Sequence, residues 1–368
     1  MRWNKSSILY LLLIVITVSF TLNKLREAAD IKDQYQSVSV RLHSDTITKS
    51  RLDQAVNKEK EDKSSFLEVT PWTCIRGESI SNPLLRRKQK LSVIIVSGNM
   101  QIVAPMKLSS GNYVSGDDKN GCVLDTKTSY ELFGTINATG SLITYQDKEY
   151  LVRGIVKTRD PLVILQADQN WKGITNLEFE FDRERIEKGE DLTREFLLTY
   201  GLTEDYVLID GYFYSDLVRT ILCLPVWMLY FAGILILAKR YLALSRHSTE
   251  KAMSMKPWVF ALYGLIGGFT MLGFGFLLYD LTGNIFHLSG KFIPPKWSDF
   301  DFWSNRFRFM KEQIRQLRYL TPTLKDITLE QALSRLTHDF SLMIVLFLLN
   351  IICGSTLLRF SPHSRQSI

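Results

Sequence analysis

The side chains able to bind a metal or to act in acid–base catalysis are scattered along this sequence. The chain has five histidines among 368 residues, and no two of them have the spacing of metal ligands. They are His43, His247, His287, His338 and His363. No G-x-x-x-x-G-K-[ST] phosphate loop occurs, so this chain cannot bind ATP in the Walker manner. We therefore expect a protein that is not an enzyme, with no catalytic, cofactor-binding or metal-binding residue of its own.

Two groups of carboxylates remain as candidates. Asp117-Asp118 follows Gly116, and a turn explains this pair better than a metal site does. For the second group the sequence predicts a solvated face at a passage from strand to helix, rather than an acid–base pair. That group consists of Glu178, Glu180, Asp182, Glu184 and Glu187. Asn137-Ala138-Thr139 matches a glycosylation sequon, but so short a pattern also arises by chance.

The four cysteines do not form a disulfide scaffold. Cys223 and Cys353 lie inside apolar runs, whereas Cys74 and Cys122 lie in the polar part of the chain. If that part is extracytoplasmic, Cys74 and Cys122 can pair. The alternative is that both are small buried residues.

Four apolar runs have the length, or nearly the length, needed to cross a bilayer core of about 30 Å. They cover residues 8–22, 217–238, 258–279 and 341–358. The first run lacks the small-x-small pattern of a cleavage site, which favours an uncleaved anchor over a signal peptide. Apart from Arg219 near the beginning of the second run, these runs contain no charged residue, and the absence of a charge at mid-span argues against an ion-coupled carrier.

The distribution of basic residues predicts the orientation of these runs. The short loop 239–257 carries five lysines and arginines against Glu250 alone, and both termini are basic. We therefore place both termini and this loop in the cytoplasm, with the spans in the plasma membrane. The net charge of +7 then indicates an anionic membrane surface rather than nucleic acid. The outer loop 280–340 is also basic, but at about 60 residues it reaches the length at which the rule stops applying.

The predicted fold class is a membrane protein with an α+β domain after the first span and three spans after that domain. Residues 23–66 show helical spacing in a first arm and a second helical stretch near 52–66. Strands are predicted at 68–75, 91–96, 101–105, 121–124, 142–145, 150–156 and 162–166. Helices are predicted near 127–133 and 191–200, and a hairpin turn at 146–148. The predicted divisions are the cytoplasmic N-terminus with the first span (1–22), the outer α+β domain (23–216), the second span (217–238) and the cytoplasmic loop (239–257). They continue with the third span (258–279), the outer helical insertion (280–340), the fourth span (341–358) and the cytoplasmic tail (359–368).

The outer loop 280–340 contains an amphipathic helical pattern. Ser298 is a candidate cap with Asp301 at the third position, and Thr328 is a candidate cap for a last helix entering the fourth span. An apolar stripe recurs at spacings of three and four: Phe300, Trp303, Phe307, Met310, Ile314 and Leu317. This stripe could pack on the outer domain or its own loop, lie in the membrane interface, or bind a partner. In the third span, Gly264 and Gly268 have the small-xxx-small spacing that allows helices to approach closely.

Four short motifs follow one another in the outer domain. They are Gly111-Asn112-Tyr113, Leu132-Phe133-Gly134, Asn137-Ala138-Thr139-Gly140 and Val152-Arg153-Gly154-Ile155. Their order resembles the progression from G-x-Y/F through LFG and N-x-x-G to V-x-G-V in the extracytoplasmic core of MacB/FtsX-type ABC transporter permeases, and the resemblance implies a bacterial protein. The four motifs lie within about 50 residues, and the order of one span, a large domain and three spans covers the whole chain. The long outer loop 280–340 departs from the family, in which the loop between the last two spans is short.

This resemblance implies a membrane subunit that couples a separate cytoplasmic ABC ATPase to the outer domain. The ATP would be used by that partner, which would push on the cytoplasmic loop through Arg246, Lys251 and Lys256. The resemblance also implies a homodimer, or a heterodimer with another permease, in the lipid bilayer. The competing hypothesis is a membrane-anchored sensory or binding protein that works without an ATPase.

Overall fold

The computed structural model describes most of the chain. The described residues are 5–43, 46–63, 68–158, 160–168, 171–203, 205–250, 257–282, 294, 296, 298–317 and 323–359. Among them, nine α-helices and twelve strands are present. They divide into two compact units, a helical unit (Met1–Ile31, Asp216–Leu288 and Gln331–Ile368) and a sheet unit (Lys32–Ser215 and Ser289–Glu330).

Four of the described helices are long and apolar enough to cross a membrane, one before the α+β domain and three after it. They are α1 (Lys5–Gln34), α6 (Gly211–Glu250), α7 (Pro257–Thr282) and α9 (Leu324–Arg359). This confirms the predicted arrangement of spans in a multi-pass membrane protein. The helices are longer than the predicted apolar runs, because polar turns continue them beyond the hydrocarbon length. The predicted divisions at 22/23, 216/217 and 340/341 therefore fall inside continuous helices.

In the helical unit, α1 and α9 pack side by side in opposite directions. Asn350 Nδ2 of α9 donates to Thr17 Oγ1 of α1 at 2.7 Å, and Lys24 Nζ of α1 lies 2.7 Å from Asp339 Oδ2 of α9. Along these contacts the residue number rises in α1 and falls in α9, so the two helices are antiparallel. Lys24 and Asp339 are both buried and lie just beyond the apolar runs 8–22 and 341–358. An ion pair at that place satisfies two charges that lipid could not solvate.

The second helix pair is α6 with α7. Trp227 Nε1 of α6 donates to Thr282 Oγ1 at 3.0 Å, and Tyr230 Oη donates to the carbonyl oxygen of Met271 at 3.0 Å. An added Cβ at Gly275 would collide with the Tyr230 hydroxyl, whose close approach requires a glycine there.

The small-xxx-small pair of the third span is used differently at its two glycines. A Cβ at Gly264 would lie 3.0 Å from the Tyr241 ring, so this glycine does permit a close contact within the chain. At Gly268 no described atom lies within 4 Å of such a Cβ. A contact of Gly268 with a second protein chain stays a prediction.

The sheet unit is built on a ten-stranded mixed sheet among the described residues, with strand order β12-β1-β11-β3-β4-β9-β6-β8-β5 and with β7 paired to β3 and β8. A two-stranded sheet joins β2 and β10. The strands are β1 Val38–Leu42, β2 Ile47–Thr48, β3 Glu68–Ser81, β4 Lys88–Val96, β5 Leu108–Gly111, β6 Gly121–Asp125, β7 Leu142–Tyr145, β8 Lys148–Val156, β9 Leu162–Gln166, β10 Lys172–Ile174, β11 Asn176–Glu180 and β12 Tyr206–Asp210. The remaining helices are α2 Lys49–Lys63, α3 Met100–Val103, α4 Thr126–Phe133, α5 Gly189–Thr199 and α8 Phe302–Leu317.

Six predicted strands and three predicted helices are confirmed, as β3, β4, β6, β7, β8, β9, α2, α4 and α5. The predicted hairpin is also confirmed, since β7 and β8 pair around Gln146 and Asp147, both of which have positive φ. Two positive φ angles are typical of a type I′ turn, whose twist matches that of the strands.

Two predictions for the sheet unit were wrong. The segment 101–105 is not a strand, because Asn99 caps the short helix α3 by accepting a hydrogen bond from the Gln101 amide. The segment between the two helical stretches predicted within 23–66 is also not helical: the arm ends with α1 at Gln34, β1 and β2 follow, and the second stretch is present as α2. The sequence analysis predicted no strand at the positions of β5, β10, β11 and β12.

Alternation along β1 and β11 gives the sheet two different faces. Val38, Val40 and Leu42 of β1 pack in one apolar core with Leu177 and Phe179 of β11. Since successive side chains of a strand point to opposite faces, Ser39, Arg41 and Glu178 point away from that core. These polar residues are nevertheless almost completely buried.

Candidate functional site

Four charged side chains meet in the interior of the sheet unit, and we name them the charge cluster: Arg41, Glu178, Lys325 and Asp326. Arg41 Nη1 lies 2.9 Å from Glu178 Oε1, and Arg41 Nη2 lies 3.2 Å from Asp326 Oδ1. Lys325 Nζ lies 2.9 Å from Glu178 Oε2. The side chains are 0–3% exposed, so water contributes little to solvating the four charges. Two cations and two anions leave the cluster with no net charge.

Glu178 is the centre of this cluster because five donors surround its carboxylate. Ser37 Oγ donates to Oε2 at 2.5 Å, and Ser39 Oγ donates to the same oxygen. Trp72 Nε1 donates to Oε1 at 3.2 Å. Arg41, on Oε1, and Lys325, on Oε2, are the other two donors. The guanidinium carbon of Arg41 also lies 4.5 Å from the centre of the Trp72 ring. A buried carboxylate with this many donors is fully satisfied as an anion.

The same contacts set the protonation of the cluster. Burial by itself raises the pKa of Glu178, but attraction to Lys325 and Arg41 and the two serine hydrogen bonds outweigh it and lower the pKa to about 2. For Arg41, burial lowers the pKa, and attraction to Asp326 and Glu178 outweighs it and raises the pKa above the ordinary value. Glu178 and Arg41 are therefore both charged at neutral pH.

Asp326 joins the cluster to the beginning of α9. Its Oδ2 accepts hydrogen bonds from the amide nitrogen and the hydroxyl of Thr323, both at 2.8 Å. Thr323 stands just before the helix and Asp326 at its third position, which is the arrangement of a capping box. The helix thus begins at Leu324, and Thr328, predicted as its cap, lies inside α9.

Three chain segments come together at Ser37. This residue follows α1, and its carbonyl oxygen accepts a hydrogen bond from the Gly211 amide, the first residue of α6, at 3.1 Å. A Cβ at Gly211 would lie 2.5 Å from that oxygen, so a larger residue would separate the segments. From α9, Lys325 Nζ reaches Ser37 Oγ at 3.3 Å, and the Leu329 amide donates to Tyr35 Oη at 3.2 Å.

Sequence reasoning missed this site. It placed Glu178 on a solvated face, which was wrong because the side chain is 0% exposed. Asp182, Glu184 and Glu187 of the same group are exposed, as predicted. A usable signal was present: Arg41 and Glu178 each occupy a polar position within a strand whose neighbouring residues are apolar.

The ion pairs of the charge cluster hold chain segments in position. All four charges are paired and buried, and both carboxylates also accept hydrogen bonds from uncharged donors. Neither carboxylate is therefore placed to accept a proton from a bound molecule. In the described part of the chain no group of three or more His, Cys, Asp or Glu could hold a metal ion. Cys74 and Cys122 are free thiols in the structure, and burial raises the pKa of both.

A cleft of about 430 Å³ adjoins the beginning of α9. Thr323 and Ile327 contribute one wall, and Arg76, Lys90 and Asp160 are its charged lining residues. Its volume is in the range of small-molecule sites, which are usually largely preformed concavities.

Helix α8 packs on the rest of the sheet unit by a face that shares Met310 with the predicted stripe. Arg306 lies over the Phe213 ring at 5.4 Å, Met310 is buried, and Gln313 bonds both the Tyr214 hydroxyl at 2.8 Å and the Leu208 carbonyl oxygen at 3.2 Å.

Three members of the predicted stripe are instead exposed, by 88% for Phe300, 39% for Trp303 and 53% for Phe307. Of the three alternatives for the stripe, packing on the domain applies to Met310. For the three exposed residues, a place in the membrane interface or a contact with a partner stays a prediction. The side chains of Ile314 and Leu317 lie outside the described residues. The helix begins at Phe302, and Ser298, the predicted cap, lies in the preceding turn.

The predicted ATPase-contact residues lie beyond what the structure describes. This applies to the side chain of Arg246, at the end of α6, and to the whole of Lys251 and Lys256. Their role stays a prediction.

No protein-family model and no curated protein matches this sequence. Solved structures do match. The periplasmic region of MacB from Actinobacillus actinomycetemcomitans has 14% identity and a TM-score of 0.39 over 49% of this chain and 91% of that one. The extracellular domain of the noncanonic ABC-type transporter YknZ from Gram-positive bacteria has 11% identity and a TM-score of 0.37 over 47% and 99%.

A domain of a putative permease from Porphyromonas gingivalis has 8% identity and a TM-score of 0.33 over 49% of this chain and 91% of that one. Identities and TM-scores this low carry no substrate, direction or partner over to this chain. This chain is similar to these three domains over 47–49% of its length.

Proposed function

We propose that this chain is the permease-like membrane subunit of a mechanotransmission complex, in which a separate cytoplasmic ABC ATPase drives movements of the sheet unit. The observation that carries the proposal is the meeting of three chain segments at the charge cluster. These segments are the one leaving α1, the one entering α6 and the one that begins α9. Each continues into a candidate span.

The energetics of the charge cluster make these three connections stiff. Breaking a buried ion pair so that one charge stays unpaired costs about 3–5 kcal/mol. Lys325 and Asp326 both lie in the first turn of α9, so a displacement of that turn from the sheet would separate both from their partners. A movement that reaches this turn is therefore passed to β1 and β11 rather than absorbed locally.

The partner ATPase would lie on the cytoplasmic side of the membrane. Without a Walker motif in this chain, ATP would be bound and hydrolysed by the partner. Arg246, Lys251 and Lys256 would meet an acidic groove of that ATPase, and a homodimer or heterodimer would complete the complex. By the distribution of basic residues, both termini are cytoplasmic and the sheet unit is outside.

The test is co-purification of the full chain with the candidate ATPase from its own membrane. The charge-reversal variant R246E/K251E/K256E should lose most of the bound ATPase, because like charges would then face the groove. The matched control is K58E/K60E, which reverses two exposed charges on α2. If the triple variant retains both the ATPase and the function of the complex, the transmission proposal fails.

The second candidate function is a sensory or binding protein that acts without an ATPase. The cleft beside Thr323 favours it, because a ligand there would touch the beginning of α9 directly. Under this alternative, deletion of every candidate ATPase would leave the function of the chain unchanged.

A further inference from the structure

We propose that α8 docks on the anionic headgroup surface of the membrane. The docking face consists of three aromatic and three basic side chains, of which Phe300 lies in the turn before α8 and the other five lie on the helix: Phe300, Trp303, Phe307, Arg308, Lys311 and Arg315. All six residues are exposed. The inference concerns a contact with lipid and stands whether or not an ATPase drives the complex.

Helix α8 contacts Phe213 and Tyr214 in the first turn of α6. These residues precede Leu217, where the apolar run of the second span begins, by only three or four positions. At 1.5 Å per residue, the contact lies about 6 Å along the helix from the start of that run. Helix α8 therefore contacts the part of α6 that directly precedes the apolar run.

The side chains of α8 form three successive groups around the helix. Arg306, Met310 and Gln313 occupy the face that packs on the sheet unit. At 100° per residue, Trp303 and Phe307 follow on one side of that face. Arg308, Lys311 and Arg315 come next, on the side of the helix opposite the packed face. The aromatic row and the basic row are thus adjacent, with the aromatic row nearer the domain.

This order fits a lipid headgroup surface. Interfacial helices place aromatic side chains at the boundary with the acyl chains and basic side chains among anionic headgroups. Aromatic residues such as Trp303 are enriched at that depth. The nearby ion pair of Arg315 with Glu312 is exposed at both ends, so water and headgroups can compete for it. Charge complementarity therefore selects anionic lipid as the occupant.

The experiment uses the full chain in vesicles of phosphatidylcholine and phosphatidylglycerol, with and without bromine on the acyl chains. Bromine quenches tryptophan only within a short distance, and the contribution of Trp303 is obtained by subtracting the signal of W303F. We expect the emission of Trp303 to be quenched roughly two-fold in vesicles with about 30% phosphatidylglycerol. Quenching should decrease in high salt and in vesicles of phosphatidylcholine alone, because screening weakens the attraction of the basic row.

The variant R308Q/K311Q/R315Q should lose most of this quenching, while the matched control K58Q/K60Q/R183Q, at three exposed positions away from α8, should keep it. Hydrogen exchange at residues 205–215 in every variant checks that the sheet unit is folded. Absence of Trp303 quenching in brominated vesicles would overturn the proposal and leave a protein partner as the occupant. Quenching that is indifferent to phosphatidylglycerol and to the triple variant would also overturn it, since contact with lipid would then owe nothing to anionic headgroups.

Discussion

The two ends of one outer segment, α8 and the first turn of α9, are attached to the sheet unit in opposite ways. The first turn of α9 inserts two charged side chains, Lys325 and Asp326, into an interior that excludes water. Helix α8 contacts the same unit through Arg306, Met310 and Gln313, and much of its surface is exposed. A buried charge is useful for fixing a position because its partner cannot be replaced by water. A shallow contact leaves the outer side of a helix available for something else.

The largest expected effect is at the centre of the charge cluster. The variant E178Q leaves Arg41 and Lys325 buried with Asp326 as their only carboxylate, which should lower the free energy of unfolding by about 3–5 kcal/mol. Thermal unfolding of the full chain in detergent measures it. The matched control E184Q changes an exposed carboxylate and should have almost no effect. An E178Q chain as stable as the original would mean that the cluster does not fix α9.

The pH dependence of stability should reveal the same carboxylate. The pKa of Glu178 falls from the ordinary value of 4.5 to about 2 in the folded chain. Its contribution is therefore fully present above pH 4.5 and is lost as the pH falls toward 2. The shift corresponds to about 3 kcal/mol. Unfolding measured at several pH values should show this loss in the original chain and a much smaller one in E178Q. Equal slopes for the two proteins would contradict the lowered pKa.

The smallest expected effect is at α8. The variant Q313A removes hydrogen bonds to Tyr214 and to the Leu208 carbonyl oxygen in a partly exposed contact. It should cost about 1–2 kcal/mol and speed hydrogen exchange in α8 while the first turn of α9 stays protected. The variant K311A, on the exposed side, should change neither measurement. If Q313A loosens α9 as much as α8, the two ends of the segment are one cooperative body and the contrast between them disappears.

The elements predicted correctly are those whose signals are local. Strands β4 and β9 are short apolar runs between turn residues, and α4 ends at Gly134, whose φ of 77° is the left-handed conformation typical of a helix end. The failures have physical causes as well. The strand β1 is short and joins two helical patterns, and Arg41 inside it looks like a surface charge. The segment 101–105 has strand-like residues, but the cap at Asn99 makes it helical.

The sequence by itself determined the four spans and their order around the α+β domain, because an apolar run of sufficient length has few structures available to it in lipid. It also determined the face pattern of α8 but not which face is covered. The tertiary structure alone decided the charge cluster. Arg41 lies 137 positions from Glu178 and 285 from Asp326, and no local pattern records which distant charge will neutralise a buried one. Burial of Glu178 is favourable only once those partners are in place, so the folded chain as a whole decides it.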